Sequence, residues 1–360
     1  MRKHMTIALC NLCRVSKLYP TCLLLKDIVL GPSKGGGGFS DVHKGYHPAM
    51  EQILCVKVVR LYERSDVDAA LKAYAKEAML WRQLHHPSII PLYGVHYLRT
   101  DKSDESYKIC LVSPWMENGN LVKYLSNNPE VPREPLIYDT ALGLEYMHSE
   151  HSMIHSDLKG FNILVNEEGH ACITDFGLSI LRTESTLSRA LGTNTVGACS
   201  YRWSAPEIVD DPHPTLASDI WAFGCVCYEA LTGSLPFPEC TMDAQVIMRL
   251  TNQIKPAEKP RTVTQREDII WSLIEKCWEI DSRERPTCKE IIATLKEIPG
   301  VARVPSELEM ETLIEHGRQL FQLADPLGNV RDSELELIEG LLLNVRSSGL
   351  PLPHTIYRVL

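Results

Sequence analysis

The spacing of apolar and polar residues separates a strand-rich first part of the chain from a helix-rich second part. Between residues 23 and 61, apolar and β-branched residues form short runs that a glycine cluster interrupts, which predicts antiparallel strands. A helix is predicted over residues 66–84, because its apolar positions recur every three or four residues. One face of this predicted helix carries Ala70, Tyr74, Glu77 and Trp81.

Strand patterns resume in "IIPLYGVHYL" and "YKICLVSPW", and helical patterns follow them. The predicted helices lie in "PLIYDTALGLEYMHS", "LASDIWAFGCVCYEALTG" and "REDIIWSLIEKCWEI". The change of pattern falls at about residues 115–120 and predicts an α+β chain of two lobes. Ligands often bind in a cleft at such a boundary.

A separate tail is predicted from Pro299 onward. Ser306-x-x-Glu309 and Ser333-x-x-Glu336 have the spacing of capping boxes, and each opens an apolar helical run. We expect an appended helical pair that packs on its own domain or docks a partner. The predicted divisions are an extension at 1–24, a domain at 25–298 with lobes at 25–115 and 119–298, and a helical tail at 301–360.

Composition and charge narrow the class of protein. The net charge of −9 over 360 residues argues against broad binding to nucleic acid. The 12 cysteines lie mostly in apolar runs, which favours a reducing, cytoplasmic setting over a disulfide framework. The lone Cys10-Asn-Leu-Cys13 lacks a second ligand pair for zinc. The apolar run after Met1 is too short for a secretion signal, and no run is long enough to span a membrane.

A short hairpin is predicted in "NILVNEEGHACITDFG". Its strands are residues 163–165 and 171–174, and Glu168-Gly169 supplies the turn. Folding about that turn brings Asn162 and Asp175 together, and their oxygen atoms suit Mg²⁺ that also binds phosphate. A surface hairpin that merely ends in polar residues is the alternative.

Three ordered motifs surround this hairpin: "HSDLKGFN" at 155–162, "DFG" at 175–177 and "APE" at 205–207. With these motifs the sequence resembles the eukaryotic protein kinases over residues 25–296. The tryptophan of "YRWSAPE" is similar to that of the tyrosine-kinase-like group. The resemblance implies the bilobal α+β kinase fold, with a small antiparallel sheet in the N-lobe and a helical C-lobe.

The resemblance also implies the catalytic roles. Asp157 is expected to be the base for the substrate hydroxyl, and Lys159 to neutralise charge on the γ-phosphoryl of ATP. Asn162 and Asp175 are expected to bind Mg²⁺. The predicted ion pair of Lys57 with Glu77 gives a buried carboxylate its partner and completes the catalytic set.

The glycine-rich loop "GGGGFSDVHKG" precedes a strand pattern, whereas a dinucleotide-binding fold would place a helix there. Its glycines let backbone N–H groups approach ATP phosphates, although Ser40 replaces the third glycine. By resemblance, ATP contacts Gly35, Gly37, Phe39, Val42, Cys55, Lys57, Ser113, Met116 and Leu164. A serine at position 113 predicts an enlarged inner pocket behind the adenine.

Lys159 and Ser200 resemble the pair that serine/threonine kinases place beside the base, so protein serine and threonine hydroxyls are the expected acceptors. Dual specificity stays open. By resemblance, Asp219 holds the catalytic-loop backbone and Arg285 pairs with Glu207. The presence of Glu207 and Arg285 disfavours a small-molecule phosphotransferase.

Ser156 stands where most kinases carry an arginine that receives an activation-loop phosphate. We therefore expect control that does not depend mainly on such a phosphate. The candidate acceptors in that loop are Thr183, Ser185, Thr186, Ser188, Thr193 and Thr195. Loss of the arginine and of the third glycine leaves one alternative, a pseudokinase scaffold that binds partners without phosphoryl transfer.

Overall fold

A computed structural model of the chain describes residues 13, 19–20, 23–36, 40–59, 67–99, 107–177, 179–181, 200–261, 264–302 and 307–324. The strands are β1 Leu24–Leu25, β2 Val29–Gly36, β3 Ser40–Tyr46, β4 Ile53–Val59, β5 Gly94–Arg99, β6 Tyr107–Pro114, β7 Met153–Ile154, β8 Ile163–Val165, β9 Ala171–Ile173 and β10 Ile180–Leu181. The helices are α1 Val67–Trp81, α2 Leu121–Asn127, α3 Glu134–Ser149, α4 Glu207–Asp210, α5 Leu216–Thr232, α6 Asp243–Thr251, α7 Gln265–Cys277, α8 Cys288–Leu295 and α9 Glu307–Ala324.

The chain divides into two compact units. The strand unit comprises residues 1–85, 90–115 and 306–360, and the helical unit comprises residues 86–89 and 116–305. The predicted helix at 66–84 is confirmed as α1, although it ends earlier, at Trp81. The second predicted tail helix lies outside the described residues.

The strand unit contains a six-stranded sheet in the order β1-β5-β6-β4-β3-β2. Its neighbours are antiparallel except at β1, which pairs parallel to β5 through Leu24 with Val95 and Leu25 with His96. The predicted α+β fold with a small, mainly antiparallel sheet is confirmed, and the parallel pairing of β1 is a detail that the sequence did not predict. A strand of two residues is too short to show an alternating pattern in the sequence.

The two faces of this sheet differ in character. Leu54, Val56 and Val58 of β4 are buried in an apolar cluster, whereas Cys55 and Lys57 between them are half-buried. Because successive side chains of a strand point to opposite faces, the candidate ligand contacts lie on the face away from that cluster. Leu320 of α9 is 1% exposed and belongs to the same apolar cluster.

Gly317→Ala in α9 is expected to lower the free energy of unfolding by about 1–3 kcal/mol, although alanine is the better helix former. A Cβ at this position would lie 2.7 Å from Cδ1 of Tyr93. The Tyr93 ring is buried and its hydroxyl pairs with Gln52, which restricts its movement. Chemical denaturation measures the change. Gln319→Ala, at an exposed position of α9, is the control; equal or greater stability of Gly317→Ala would contradict the expected clash.

The helical unit has strong local signals at its helix starts. Thr215, Thr264 and Thr287 each form a capping box with the residue three positions later. The predicted helices of this unit are confirmed as α3, α5 and α7. Across the described residues, we found no helix with the length and apolar character needed to cross a bilayer.

Candidate active site

The strand unit forms the predicted ion pair. Nζ of Lys57 lies 2.8 Å from Oε1 of Glu77. The side chain of Glu77 is 4% exposed, so burial would make its charge costly without a cationic partner. Side chains alternate between the two faces along β4, and side chains on α1 follow the helical repeat. These two periods bring Lys57 and Glu77 together.

Other predicted nucleotide contacts share the lysine's face of the sheet. Val42 is the register partner of both Lys57 and Gly35, and Cys55 is the partner of Ser113. Burial raises the pKa of the Cys55 thiol, and the Ser113 hydroxyl and the Lys57 charge oppose that rise.

The glycine-rich loop is only partly described. A Cβ at Gly35 would meet no heavy atom of the described residues within 4 Å, so packing does not require glycine there. A close approach of backbone to a ligand is the other common reason for glycine. Gly37 and Phe39 lie outside the described residues.

The helical unit brings together the predicted base and its neighbours. Nζ of Lys159 lies 2.7 Å from Oδ2 of Asp157 and donates to Oγ of Ser200 at 2.8 Å. Nδ2 of Asn162 donates to Oδ2 of Asp157 at 3.1 Å and to the Asp157 carbonyl at 2.8 Å. The predicted contact between Lys159 and Ser200 is confirmed, and one carboxylate lies at the centre of the group.

The predicted hairpin is confirmed as β8 and β9, with Leu164 opposite Cys172. The Thr174 N–H donates to the Asn162 carbonyl at 3.0 Å, which places Asp175 directly after a residue bonded to Asn162. Asp175 has φ of 66°, in the left-handed region that L residues seldom occupy. Such strain is common where a side chain must be aimed at a ligand.

These residues fit a divalent ion that is shared with a substrate. Among the described residues, no group of three or more His, Cys, Asp or Glu side chains is arranged to hold a metal. Asn162 and Asp175 offer two oxygen ligands, which suits Mg²⁺ because it retains several water or phosphate ligands.

A buried carboxylate holds the catalytic loop in place. Asp219 accepts the backbone N–H of His155 at 2.7 Å and of Ser156 at 2.9 Å, as the resemblance implied. It also pairs with Nε2 of His148 at 2.8 Å, a contact that sequence reasoning missed. Ser156 has φ of 71°, so these bonds stabilise an unfavourable backbone conformation.

The predicted pair of Arg285 and Glu207 is confirmed as a bidentate contact at 2.7 Å for each bond. Arg285 also donates to the Ala217 carbonyl at 2.9 Å. These bonds anchor the "APE" segment to the start of α5. The role of both side chains is structural.

Sequence reasoning missed a second anchor of the catalytic loop, Glu229 of α5. Its Oε2 accepts the Gly160 N–H and the Nε1–H of Trp203, each at 2.8 Å. The only signal in the sequence was an acid in the apolar second half of α5, a residue that burial makes costly unless it is bonded.

The remaining predicted positions lie as follows. Met116 is buried, and its carbonyl accepts the Gly119 N–H at 3.1 Å; Leu164 forms an isolated bridge with Asn120. The six candidate phosphate acceptors of the activation loop lie outside the described residues. Among the described residues no cysteine forms a disulfide bond, and every described cysteine except Cys55 is buried.

A strand unit with a lysine–glutamate pair and a helical unit with this catalytic loop define the protein kinase class. The sequence model of the protein kinase domain matches residues 30–295, so the chain belongs to the protein kinase family. The expected resemblance is confirmed. Family membership implies transferase activity with ATP and a divalent metal.

Several curated proteins are similar to the chain. Serine/threonine-protein kinase STY46 of Arabidopsis thaliana is 28% identical over 278 residues, which cover 76% of this chain and 44% of that protein. Serine/threonine/tyrosine-protein kinase HT1 of the same plant is 29% identical over 287 residues, covering 76% and 67%. The tyrosine-protein kinase transforming protein Fps of avian sarcoma virus is 29% identical over 268 residues, covering 73% and 46%.

The chain spans less than half the length of STY46 and of Fps, so it matches only part of each. Serine/threonine kinases predominate among the relatives, yet tyrosine kinases also occur. The comparisons do not support the pseudokinase alternative.

Proposed function

We propose that the chain transfers the γ-phosphoryl group of Mg-ATP to serine and threonine hydroxyls of proteins. The observation that carries the proposal is the contact of Lys159 with both Asp157 and Ser200. It places a carboxylate, a cation and a hydroxyl in one hydrogen-bonded group, which suits a site that binds an alcohol beside a phosphate.

In the proposed reaction, Asp157 orients the acceptor hydroxyl and takes its proton. The hydroxyl oxygen bonds to the γ-phosphorus as the bond to the bridging oxygen breaks, and ADP leaves. Lys159 offsets negative charge on the transferred group, and Lys57 contacts the α- and β-phosphates. Asn162 and Asp175 would hold Mg²⁺, which supplies charge neutralisation at the phosphate oxygens.

The test is transfer of labelled γ-phosphate from Mg-ATP to a generic protein substrate, followed by identification of the labelled amino acid. Label on serine and threonine is the expected result, and Asp157→Ala provides the background. Label on tyrosine alone would contradict the acceptor assignment. Incorporation no greater than that of Asp157→Ala would contradict the enzyme itself.

We also propose an enlarged adenine pocket beside Ser113. The wild type is expected to use an ATP analogue with a bulky group on N6, and Ser113→Met to lose about tenfold or more of that use, since a longer side chain excludes the added group. Use of ATP should change by less than about threefold. Competition kinetics measure both values, with Ser272→Met at an exposed position as the control. Equal loss for both nucleotides would contradict a size effect.

Control without an activation-loop phosphate is proposed because Ser156 carries no charge and its Oγ is buried without a hydrogen bond among the described residues. Replacing all six loop hydroxyl residues with alanine is expected to leave the rate within about threefold of the wild type. The phosphoryl-transfer assay measures it. Loss of activity in a variant that remains folded by circular dichroism would contradict the proposal.

We propose further that the tail serves the strand unit as a packing element, on the evidence of Leu320 and Gly317 in α9. The domain limits at residues 25 and 298 and the cytoplasmic location stay predictions.

A further inference from the structure

Three large apolar side chains of the helical unit are exposed between residues 235 and 248. Leu235 precedes the loop that leads to α6, Met242 stands directly before that helix, and Met248 lies within it. Met242 is 60% exposed and Met248 is 59% exposed. Single exposed apolar side chains are common on proteins, but three of this size so close in the chain are typical of a binding surface.

The helix α6 has apolar side chains on two opposite sides. Val246 and Leu250, which are one turn apart, are buried. Met248 lies on the other side, because two residues turn a helix by about 200°. A surface helix normally carries polar side chains there. Packing within the helical unit accounts for the buried pair but not for Met248, whose flexible and polarizable side chain suits contact with a partner.

The same part of the chain is poor in cations. Residues 203–254 contain no lysine and a single arginine, Arg249, which pairs with Glu239 at 3.1 Å. Asp210 of α4 and Asp243 of α6 are exposed, and α4 contacts α6. An apolar surface with an acidic border favours a partner segment that is apolar on one side and cationic beside it.

Arg202 holds the loop that leads to α6. Its guanidinium donates to the carbonyls of Pro236 and Phe237, each at 2.9 Å, and to the carbonyl of Cys240. Phe237 has φ of 55°, which a bulky residue rarely adopts, and its N–H donates to the Pro256 carbonyl at 2.9 Å. Bonds on both sides of the residue maintain this strained conformation, and such strain is concentrated at functional sites.

Arg202 also ties this loop to the proposed acceptor site. It belongs to a 3₁₀ turn, Tyr201–Trp203, which begins directly after Ser200. The Ser200 hydroxyl accepts from Lys159 at 2.8 Å. The turn contacts α6 as well. The exposed apolar side chains are therefore carried on a support that continues to the hydrogen-bonded group around Asp157.

We propose that the α6 surface, defined as Leu235, Met242 and Met248 with the acids Asp210 and Asp243, docks a cationic amphipathic segment of the protein acceptor. The apolar side of that segment contacts the leucine and the two methionines, and its cations lie against the acids. Docking raises the local concentration of the acceptor hydroxyl at the catalytic loop. The inference rests on the proposed function for the role of the acceptor, but not for the docking itself.

The first measurement is binding, which needs no activity. The probe is a fluorescein-labelled amphipathic helical peptide with leucines on one side and lysines on the other, and its matched control carries glutamate in place of every lysine. The wild type is expected to bind the cationic peptide at least about tenfold more tightly than the anionic one, with an affinity that falls as salt is added. Fluorescence anisotropy measures both affinities.

Surface variants locate the bound peptide. Met242→Gln with Met248→Gln keeps the length and the helix propensity of both side chains but removes the apolar contact, so affinity should fall about tenfold or more. Asp210→Asn with Asp243→Asn should lower affinity about threefold or more and reduce its salt dependence. Tyr46→Gln changes an exposed apolar residue of the strand unit and should alter affinity by less than about twofold.

The second measurement links docking to phosphoryl transfer. One acceptor is a short peptide with a single serine, and the other is the same peptide joined by a glycine-serine linker to the cationic helix. In the wild type the joined acceptor should have a KM about tenfold lower, with kcat similar for the two. In Met242→Gln with Met248→Gln the two acceptors should have equal KM values, while KM for the short peptide and for ATP stays at the wild-type value.

The outcomes separate the docking from the proposed function. Equal binding of the cationic and anionic peptides, or undiminished binding to the methionine double variant, overturns the docking surface. A wild-type dimer in sedimentation that the same double variant does not form assigns the surface to a second copy of the chain, which overturns it as well. Binding as expected with equal KM values for the two acceptors overturns the role in acceptor selection. A wild type that docks the peptide but transfers no phosphate overturns the proposed function while the docking surface stands.

Discussion

Asp157→Ala is expected to lower the rate of phosphoryl transfer by about 10²- to 10⁴-fold, the usual contribution of a positioned base. The alanine cannot orient the acceptor hydroxyl or take its proton. The fold should persist, because Lys159 keeps its bond to Ser200 and Asn162 keeps its bond to the backbone carbonyl of residue 157. Single-turnover transfer with saturating Mg-ATP measures the chemical step.

Two further variants test whether the effect of Asp157→Ala is due to loss of the base. Asp157→Asn preserves the shape of the side chain but accepts no proton, so its rate should fall to a similar degree. Glu130→Gln removes an exposed acid and should leave the rate unchanged. A rate for Asp157→Ala within about threefold of the wild type would remove the base from the proposed mechanism.

Apart from the contacts that the kinase resemblance implied, the features that could be predicted from sequence are those with a short period or a fixed local spacing. The helical period placed Glu77 on the inward face of α1, where its charge needs a partner, and the kinase resemblance identified Lys57 of β4 as that partner. The hairpin of β8 and β9 followed from two apolar runs about a turn. In each case the sequence pattern extends over one or two elements.

The features that neither a local pattern nor the kinase resemblance predicted depend on contacts between distant segments. Glu229 and Gly160 are 69 positions apart, and nothing near either residue identifies the other. The same holds for His148 and Asp219, which are 71 positions apart. A buried acid predicts that partners exist, because its charge is costly to bury, but their identity depends on tertiary packing.

The backbone conformation of Ser156 is a further feature that its side chain does not predict. The lack of charge on its side chain predicted control that does not depend mainly on an activation-loop phosphate. Its backbone has a second role, in the position of the catalytic loop. With φ of 71°, residue 156 costs about 1–3 kcal/mol in local strain. The bonds of Asp219 to residues 155 and 156 offset that strain and direct the adjoining Asp157. The residue type gives little indication of a backbone conformation of this kind.

Lys57→Met is expected to lower phosphoryl transfer by about 10²- to 10³-fold, as loss of a charge that stabilises a transition state does. Stability should fall as well, by about 3 kcal/mol, because Glu77 loses the cation at 2.8 Å and remains buried. Transfer assays and chemical denaturation give the two values. The similar length of methionine keeps the packing against Tyr74, whose ring lies 6.0 Å from Nζ of Lys57.

A double variant separates the catalytic effect from the structural one. Lys57→Met with Glu77→Leu removes both charges, so it should recover most of the lost stability while phosphoryl transfer stays at the level of Lys57→Met. Glu77→Leu alone should keep partial activity, because Lys57 still carries the charge that contacts phosphate. Recovery of activity together with stability in the double variant would show that Lys57 serves only the fold, and its proposed contact with the α- and β-phosphates would then be wrong.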